Sequence, residues 1–395
     1  SDSDSVKMAP SNPDHIAVVG GSAAGLFAAH QLARHGRDVS VFESETELDP
    51  APRTLIVTSR MRDVLGDLGD GAVVNTIRRF ELFTDGRAAT VSLQNPDLVI
   101  ERATLIRRLA EQARAAGARL LTGRRFRALR PDGDRLALVV DGNGRGRDEV
   151  PASTVVGADG TFSQVARAAG WPEPVTVPLV QAIVELPRDL PPDTTRVWFI
   201  PEDTPYFYWL IPDSPTRGVL GLIGEDGRKT RASLDRFLAA RGLEPLEFQA
   251  ARIPVYTRWV PAHRRLGRHD VYLVGDAACH VKVTTVGGIV TGFRGAAGVA
   301  ESILQGRPSG TLRALKRELD RHRLIRRVLH GFRQADYSLL VDLLGPKAQR
   351  VLATYTRDEA NKILVRLAVT QPRLLLLGLR ALVTEALGRL ARRAG

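Results

Sequence analysis

The run His15–Val19 (HIAVV) is short, β-branched and flanked by polar residues, and it predicts a buried strand. Beyond a glycine-rich segment, Gly20–Gly25, the residues Leu26, Ala29, Leu32 and Ala33 recur at the spacing of one helical face. Gly36 breaks that pattern, and Asp38–Phe42 reads as a second strand ending at Glu43. Strand, helix and strand in this order predict a parallel βαβ unit.

Downstream, residues 60–69 (RMRDVLGDLG) carry a helical pattern, and residues 80–93 read as a hairpin turning at Asp85-Gly86. Arg102–Gly117 is an amphipathic helix closed by glycine. Strands are predicted at 118–123, 125–130 and 135–142, with a glycine- and charge-rich hairpin over 131–149, and Ser153–Gly160 is a further strand entering a turn. Residues 175–262 read as a strand-rich insert, with strands at 195–200, 206–212 and 218–224. Asp270–Ala278 returns to the buried-strand pattern, a glycine-started helix follows over Gly287–Leu304, and residues beyond about 310 read as helical. The predicted fold class is α/β: a Rossmann-type nucleotide domain assembled from 14–50, 101–174 and 263–310, a β-sheet substrate domain from 51–100 and 175–262, and a helical tail over 311–395. Residues 1–13, polar and proline-containing, are expected to be disordered.

Composition narrows the function classes. The 395 residues carry 56 basic and 44 acidic side chains, a formal charge of +12, and only six of the basic residues are lysine. The apolar and charged fractions, 44% and 25%, are those of a globular protein. Cys279 is the single cysteine, so no internal disulfide forms and a cytoplasmic setting is expected. No CxxC or HExxH pattern appears and no metal site is expected.

Three segments carry chemistry. In GGSAAG, between the first strand and its helix, Gly20 permits a tight turn. Gly25 lets the helix lie close to the sheet, and the free N–H groups of the helix start suit a pyrophosphate. Ser22 stands at the middle glycine position of GxGxxG. Glu43, about 20 residues on, is placed to bind ribose hydroxyls. In GADGTFSQVAR (Gly157–Arg167), Asp159 and Gly160 form a tight turn after a buried strand. In VGDAACHVKVTTVGGI (Val274–Ile289), Asp276 ends a strand, and Gly287 and Gly288 open a helix whose N-terminus can face developing negative charge.

These segments, in this order over roughly residues 14–305, resemble the FAD-dependent oxidoreductases of the glutathione-reductase-type fold. That superfamily holds p-hydroxybenzoate-hydroxylase-like monooxygenases, flavin halogenases and geranylgeranyl reductases. The resemblance implies FAD as cofactor, with Gly20, Ser22, Ala24 and Gly25 at the pyrophosphate and Glu43 at the adenosine ribose. It implies the same for Arg102 near the cofactor, Asp159 and Gly160 as the DG motif, and Gly275 and Asp276 at the ribityl chain. Gly287, Gly288 and Ile289 would then face the ring, and Arg53 would reach it from its loop.

SQVAR (Ser163–Arg167), VKVTTVGGI (Val281–Ile289) and FYWLIP (Phe207–Pro212) followed by GVLGLIG are similar to motifs of the geranylgeranyl reductase branch. Val283 stands where that branch has proline, and the branch's cysteine-glycine motif is missing after Glu43. The resemblance implies hydride transfer from reduced flavin to a lipophilic, isoprenoid-like double bond. The alternative is a monooxygenase working on a hydrophobic intermediate. Halogenation ranks below both, because the lysine it needs has no counterpart in the first 228 residues except Lys7.

His280 and Lys282 are candidate catalytic groups, as an acid or as stabilisers of flavin charge; the ordinary alternative is a structural histidine and a surface lysine. Phe207 and Trp209 share one strand face, opposite Tyr206 and Tyr208, and are candidate substrate contacts. No second nucleotide fingerprint is present, so NAD(P)H or an external electron donor, such as a partner protein, is expected to visit transiently. Residues 311–333 hold eight arginines and lysines. The last segment starts at Pro372, and Arg373, Arg380 and Thr384 share a face opposite leucines. Peripheral membrane contact through this basic helix is expected, and nucleic-acid binding is not.

Overall fold

The computed structural model describes residues 6–7, 14–133, 135–142, 146–370, 373 and 376–380. Pro372 and Thr384 therefore lie outside the described residues. So do most of residues 1–13, but Val6–Lys7 corrects the expectation of disorder there: they pair in parallel with Asp148–Glu149 as an edge strand.

A six-stranded sheet runs in the order His263–Leu266, His269–Leu273, Thr154–Gly157, Ile16–Val19, Val39–Phe42, Arg119–Leu121, parallel except for its first strand. Helices Ala23–Ala33, Arg102–Ala115 and Ile289–Gln305 cover one face and share a core of Leu26, Leu32, Leu105, Leu109, Phe293 and Val299. The other face meets a small antiparallel sheet containing Phe126–Asp132, Arg135–Asp141 and Arg147–Ala152. Helices on one side and a meander on the other let the parallel strands be buried on both faces, as their uninterrupted apolar runs require.

An eight-stranded sheet forms the second layer system. Its order is Pro245–Pro254, Thr176–Glu185, Arg217–Ile223, Tyr208–Pro212, Thr194–Trp198, Val73–Thr84, Arg87–Glu101, Thr54–Val57. The long hairpin turns at Asp85 and Gly86, both at positive φ (40° and 73°), the geometry of a tight two-residue turn. Between Arg217–Ile223 and Pro245–Pro254 lies a helix absent from the strand-rich reading, Gly227–Ala240. Asp226 caps it by accepting from the Lys229 amide at 2.9 Å, and Leu234, Phe237 and Leu238 face the sheet.

Among the described residues, the C-terminal region holds helices Gly310–His330, Gln334–Asp342, Pro346–Thr354 and Ala360–Thr370. It does not hang free. Val341, Leu344 and Ala348 pack on Ala89 of the hairpin, and Tyr337 stacks on Phe199 with ring centres 4.7 Å apart. Part of the basic excess also turns inward. Arg326 is buried, donates to the Pro205 carbonyl at 2.6 Å and lies 4.6 Å above the Tyr206 ring. No helix among the described residues is long and apolar enough to cross a membrane.

Candidate functional site: a dinucleotide cleft and an apolar cavity

The first strand delivers its chain into Gly20, whose φ is +102°. A Cβ there would stand 2.5 Å from the Ala158 carbonyl oxygen, so the glycine is required by close approach of the neighbouring strand end. Gly25 is constrained in the same way, since a Cβ would fall 2.5 Å from the Gly20 oxygen and 2.6 Å from the Ala158 Cβ. Ser22 explains its departure from glycine: it is the N-cap of helix Ala23–Ala33, accepting from the Gly25 amide at 3.2 Å. Ala24 lies against Gly275, where a Cβ would stand 3.0 Å from the alanine methyl.

Gly20, Ser22, Glu43, Arg102, Asp159 and Gly160 all line one cleft of about 690 Å³. One Glu43 carboxylate oxygen accepts from the Gly21 amide at 2.6 Å, and the other from Ser44 and Glu45. Asp159 spends its carboxylate on the turn, accepting from Ser163 at 2.5 Å, Gln164 at 2.7 Å and Val165 at 3.2 Å. This fixes helix Gln164–Ala168 and leaves Gly160 open to the cleft.

Arg102 begins its helix, and its amide donates to the Arg53 carbonyl at 2.9 Å. Both arginines act electrostatically on Asp276. Burial pushes that carboxyl up, and Arg102, a hydrogen bond from Thr161 and Arg53 pull it back. The Arg53 guanidinium reaches the Ala250 carbonyl at 3.3 Å and lines neither the cleft nor the second cavity. Asp276 in turn stands beside Gly288, where a Cβ would lie 3.3 Å from its Oδ1. Gly275 is at φ +63°, and Gly288 is the N-cap of helix Ile289–Gln305. Asp276 thus links Arg102 of the cleft, through its charge, to Gly288 at the first turn of this helix.

There the second cavity begins, about 320 Å³ in volume. Gly287, Gly288, Ile289 and Val290 line it together with Leu55, Val57, Phe80, Leu179, Trp209 and Ile211 of the eight-stranded sheet and with Phe207, just before strand Tyr208–Pro212. Trp209 pairs with Gly221 across the sheet, and a Cβ on that glycine would reach within 2.7 Å of the indole. Phe207 sits edge-on to both Trp209 and Phe199, each at 6.2 Å. Tyr208 faces the other way, stacked on Phe237 at 4.0 Å. Tyr206 corrects the alternation reading. The strand begins only at Tyr208, so Tyr206 packs in the same cluster as Trp209 and Ile211.

The two candidate catalytic groups part company. Lys282 lines the cavity, buried and ion-paired with Asp358. His280 does not line it. The imidazole is fully buried under helix Ile289–Gln305, where a Cβ on Gly295 would overlap it, and it stacks on Trp259 at 5.5 Å. Burial lowers its pKa to about 4. Cys279 is likewise buried and inert, its thiol pushed up to about 11 by burial and by Asp276. Arg357 and Asp358 line the cavity from the C-terminal region. Sequence reasoning missed both, and no local pattern marks them.

The FAD-binding domain family model matches residues 14–306. The chain belongs to the FAD-binding domain family. FAD is its cofactor, and the cleft fits the group: a glycine turn and helix N-terminus for a pyrophosphate, Glu43 and Gly160 at its rim, and Asp276 beside Gly288. The flavoprotein is an oxidoreductase, and its similarity falls in the geranylgeranyl reductase-like branch. It is 27% identical to the digeranylgeranylglycerophospholipid reductase 2 of Methanothermobacter thermautotrophicus over 84% of this chain and 92% of that protein. It is 28% identical to the geranylgeranyl diphosphate reductase of Rhodobacter capsulatus over 76% and 77% of the two chains. In fold it matches a geranylgeranyl bacteriochlorophyll reductase-like protein of Thermoplasma acidophilum with a TM-score of 0.75 at 19% identity, covering 91% of this chain and 97% of that one.

Proposed function

We propose that this flavoprotein reduces a carbon–carbon double bond in an isoprenoid lipid. The observation that carries the reading is the apolar cavity lined by the first turn of helix Ile289–Gln305, where Gly288 lies beside Asp276. Similarity to reductases of digeranylgeranylglycerophospholipid and geranylgeranyl diphosphate supports an isoprenoid substrate. Bound FAD supplies the hydride. The protein's part is to hold the apolar chain between Trp209, Phe207 and Phe80 and the Gly287–Ile289 wall, and to keep water out. Gly20, Ser22, Ala24, Gly25, Glu43, Arg102, Asp159, Gly160, Gly275 and Asp276 would hold the cofactor, and Gly287, Gly288 and Ile289 would face its ring. Arg53 would act on the site through Asp276. NAD(P)H or an electron-donor protein would supply electrons from outside.

The test is anaerobic. Reduced holoprotein mixed with a geranylgeranyl lipid should reoxidise and yield the saturated product, and Trp209→Ala should slow this at least tenfold. A flavin that reoxidises only with oxygen, giving an oxygenated product, would overturn the reading.

A lipid substrate also fits contact with a membrane surface. Helix Ala360–Thr370 and the residues after it expose Val365, Val369, Leu376 and Leu379 among Lys362, Arg366, Arg373 and Arg380. Deleting residues 372–395 should weaken binding to vesicles containing phosphatidylglycerol, and unchanged binding would refute this contact.

A further inference from the structure

The polar end of the apolar cavity is built from chain segments far apart in sequence. Lys282 comes from the loop before helix Ile289–Gln305, Thr58 from the end of a sheet strand, and Asp358 from the C-terminal region beyond the FAD-binding match. Lys282 and Thr58 both donate to the Asp358 carboxylate. The side chains of the ion pair are only 7% and 1% exposed, so both charges have left water. Next to them Arg357 donates to the buried Asp97 at 2.6 Å.

Burying two charges is costly unless geometry and hydrogen bonds compensate, and a pair of apolar side chains would fill the same space more cheaply. Stability alone therefore gives little reason for the pair, and its location gives more. The Lys282 amide donates to the Gly287 carbonyl at 3.1 Å, and a Cβ on Gly287 would lie 4.0 Å from the Lys282 Nζ. The ammonium thus stands at the first turn of a helix whose N-terminus already carries positive potential. A lone ammonium would roughly add a full charge to that end, whereas Asp358 cancels it.

We propose that Asp358 is a positioning residue of the active site: through its ion pair it fixes the Lys282 ammonium beside the first turn of helix Ile289–Gln305 and balances its charge, so that the C-terminal region sets the electrostatic potential around a flavin bound there. The proposal rests on FAD binding in the cleft described and is independent of the isoprenoid substrate. Burial alone would raise the Asp358 carboxyl. The charge and hydrogen bond of Lys282, the Thr58 hydroxyl and the Arg357 charge outweigh burial and hold it well below the usual carboxylate range. The carboxylate thus stays ionised to balance the ammonium.

The experiment measures the two-electron midpoint potential of the FAD holoprotein by dye equilibration, together with thermal melting of each variant. It is run at pH 6 for every variant. The other ionisable groups of the cluster are Arg357, Asp97, His322 and Arg60. Lys282→Met should make the flavin harder to reduce and Asp358→Asn easier. Each should change the oxidised-to-reduced ratio at least tenfold, about 30 mV for two electrons, and the double variant should return close to wild type. Both single variants should melt earlier. A purely structural pair would lower melting in both and leave the potentials in place; that result, or shifts of the same sign, would overturn the proposal. Should Lys282→Met lose FAD, Asp358→Asn and the charge-preserving Lys282→Arg decide it: the first must raise the potential and the second must not. Absence of lipid turnover would leave these potentials as they are, so the substrate reading and this one fail separately.

Discussion

His280 turns acidification into a measurable loss of stability. Its ring is fully buried, neither nitrogen meets a protein partner among the described residues, and burial lowers its pKa from 6.5 to about 4. The unfolded chain therefore binds a proton that the folded one refuses between these two values. Stability is intact above pH 6.5, falls as pH drops through this window, and levels off below pH 4. The full window is worth about 3 kcal/mol at about 1.4 kcal/mol per tenfold, and about 2.5 kcal/mol of it is already lost at pH 4.5. Replacing His280 by leucine removes the titration while keeping an apolar body of similar size against Trp259. Urea unfolding at pH 7.5, 6.0, 5.0 and 4.5 would compare the two proteins. His322, lowered to about 3 chiefly by burial, adds acid sensitivity to both and cancels in the difference. The variant is expected to start out less stable at pH 7.5, through lost stacking, and to gain on wild type by about 2–3 kcal/mol as pH falls. Parallel stability curves would refute the reasoning, and would mean that the imidazole is hydrated or bonded in solution.

Gly25→Val should weaken FAD binding more than tenfold by fluorescence titration, because its Cβ has only backbone and Ala158 to displace; near-normal affinity would mean the helix can shift to accommodate it. Asp226→Ala should cost about 1 kcal/mol in urea unfolding, the usual worth of an N-cap, with little effect on flavin binding, since helix Gly227–Ala240 packs on the sheet face away from the cavity.

Local pattern carried much of the fold. The βαβ start, the Arg102 helix and the hairpin at Asp85-Gly86 depend on neighbours within a few residues, and each was readable. Helix Gly227–Ala240 was not read, although Asp226 and the Leu234–Phe237–Leu238 spacing signal it, because long strand-like runs on both sides dominated the segment. Tyr206 was misplaced by extending period-two alternation two residues beyond the strand that enforces it. Gly20, Glu43 and Gly160, singled out from local spacing, line one cleft because strand-to-helix turns constrain the backbone at fixed spacings. Asp358 was illegible for the opposite reason: its importance comes wholly from partners that the fold brings across the chain.

The hydrogen bond between Thr58 and Asp358 joins residues 300 positions apart. A chain emerging from the ribosome can form its first βαβ unit early, but it cannot finish the cavity until Asp358 has been made. Loop closure over such a span is paid for late in folding. Until then the apolar sheet face that will line the cavity stands open to water and to other chains, the exposure that favours aggregation. A ribosome-stalled or prematurely terminated product ending near residue 306 would therefore retain the dinucleotide cleft yet be a sticky, incomplete protein.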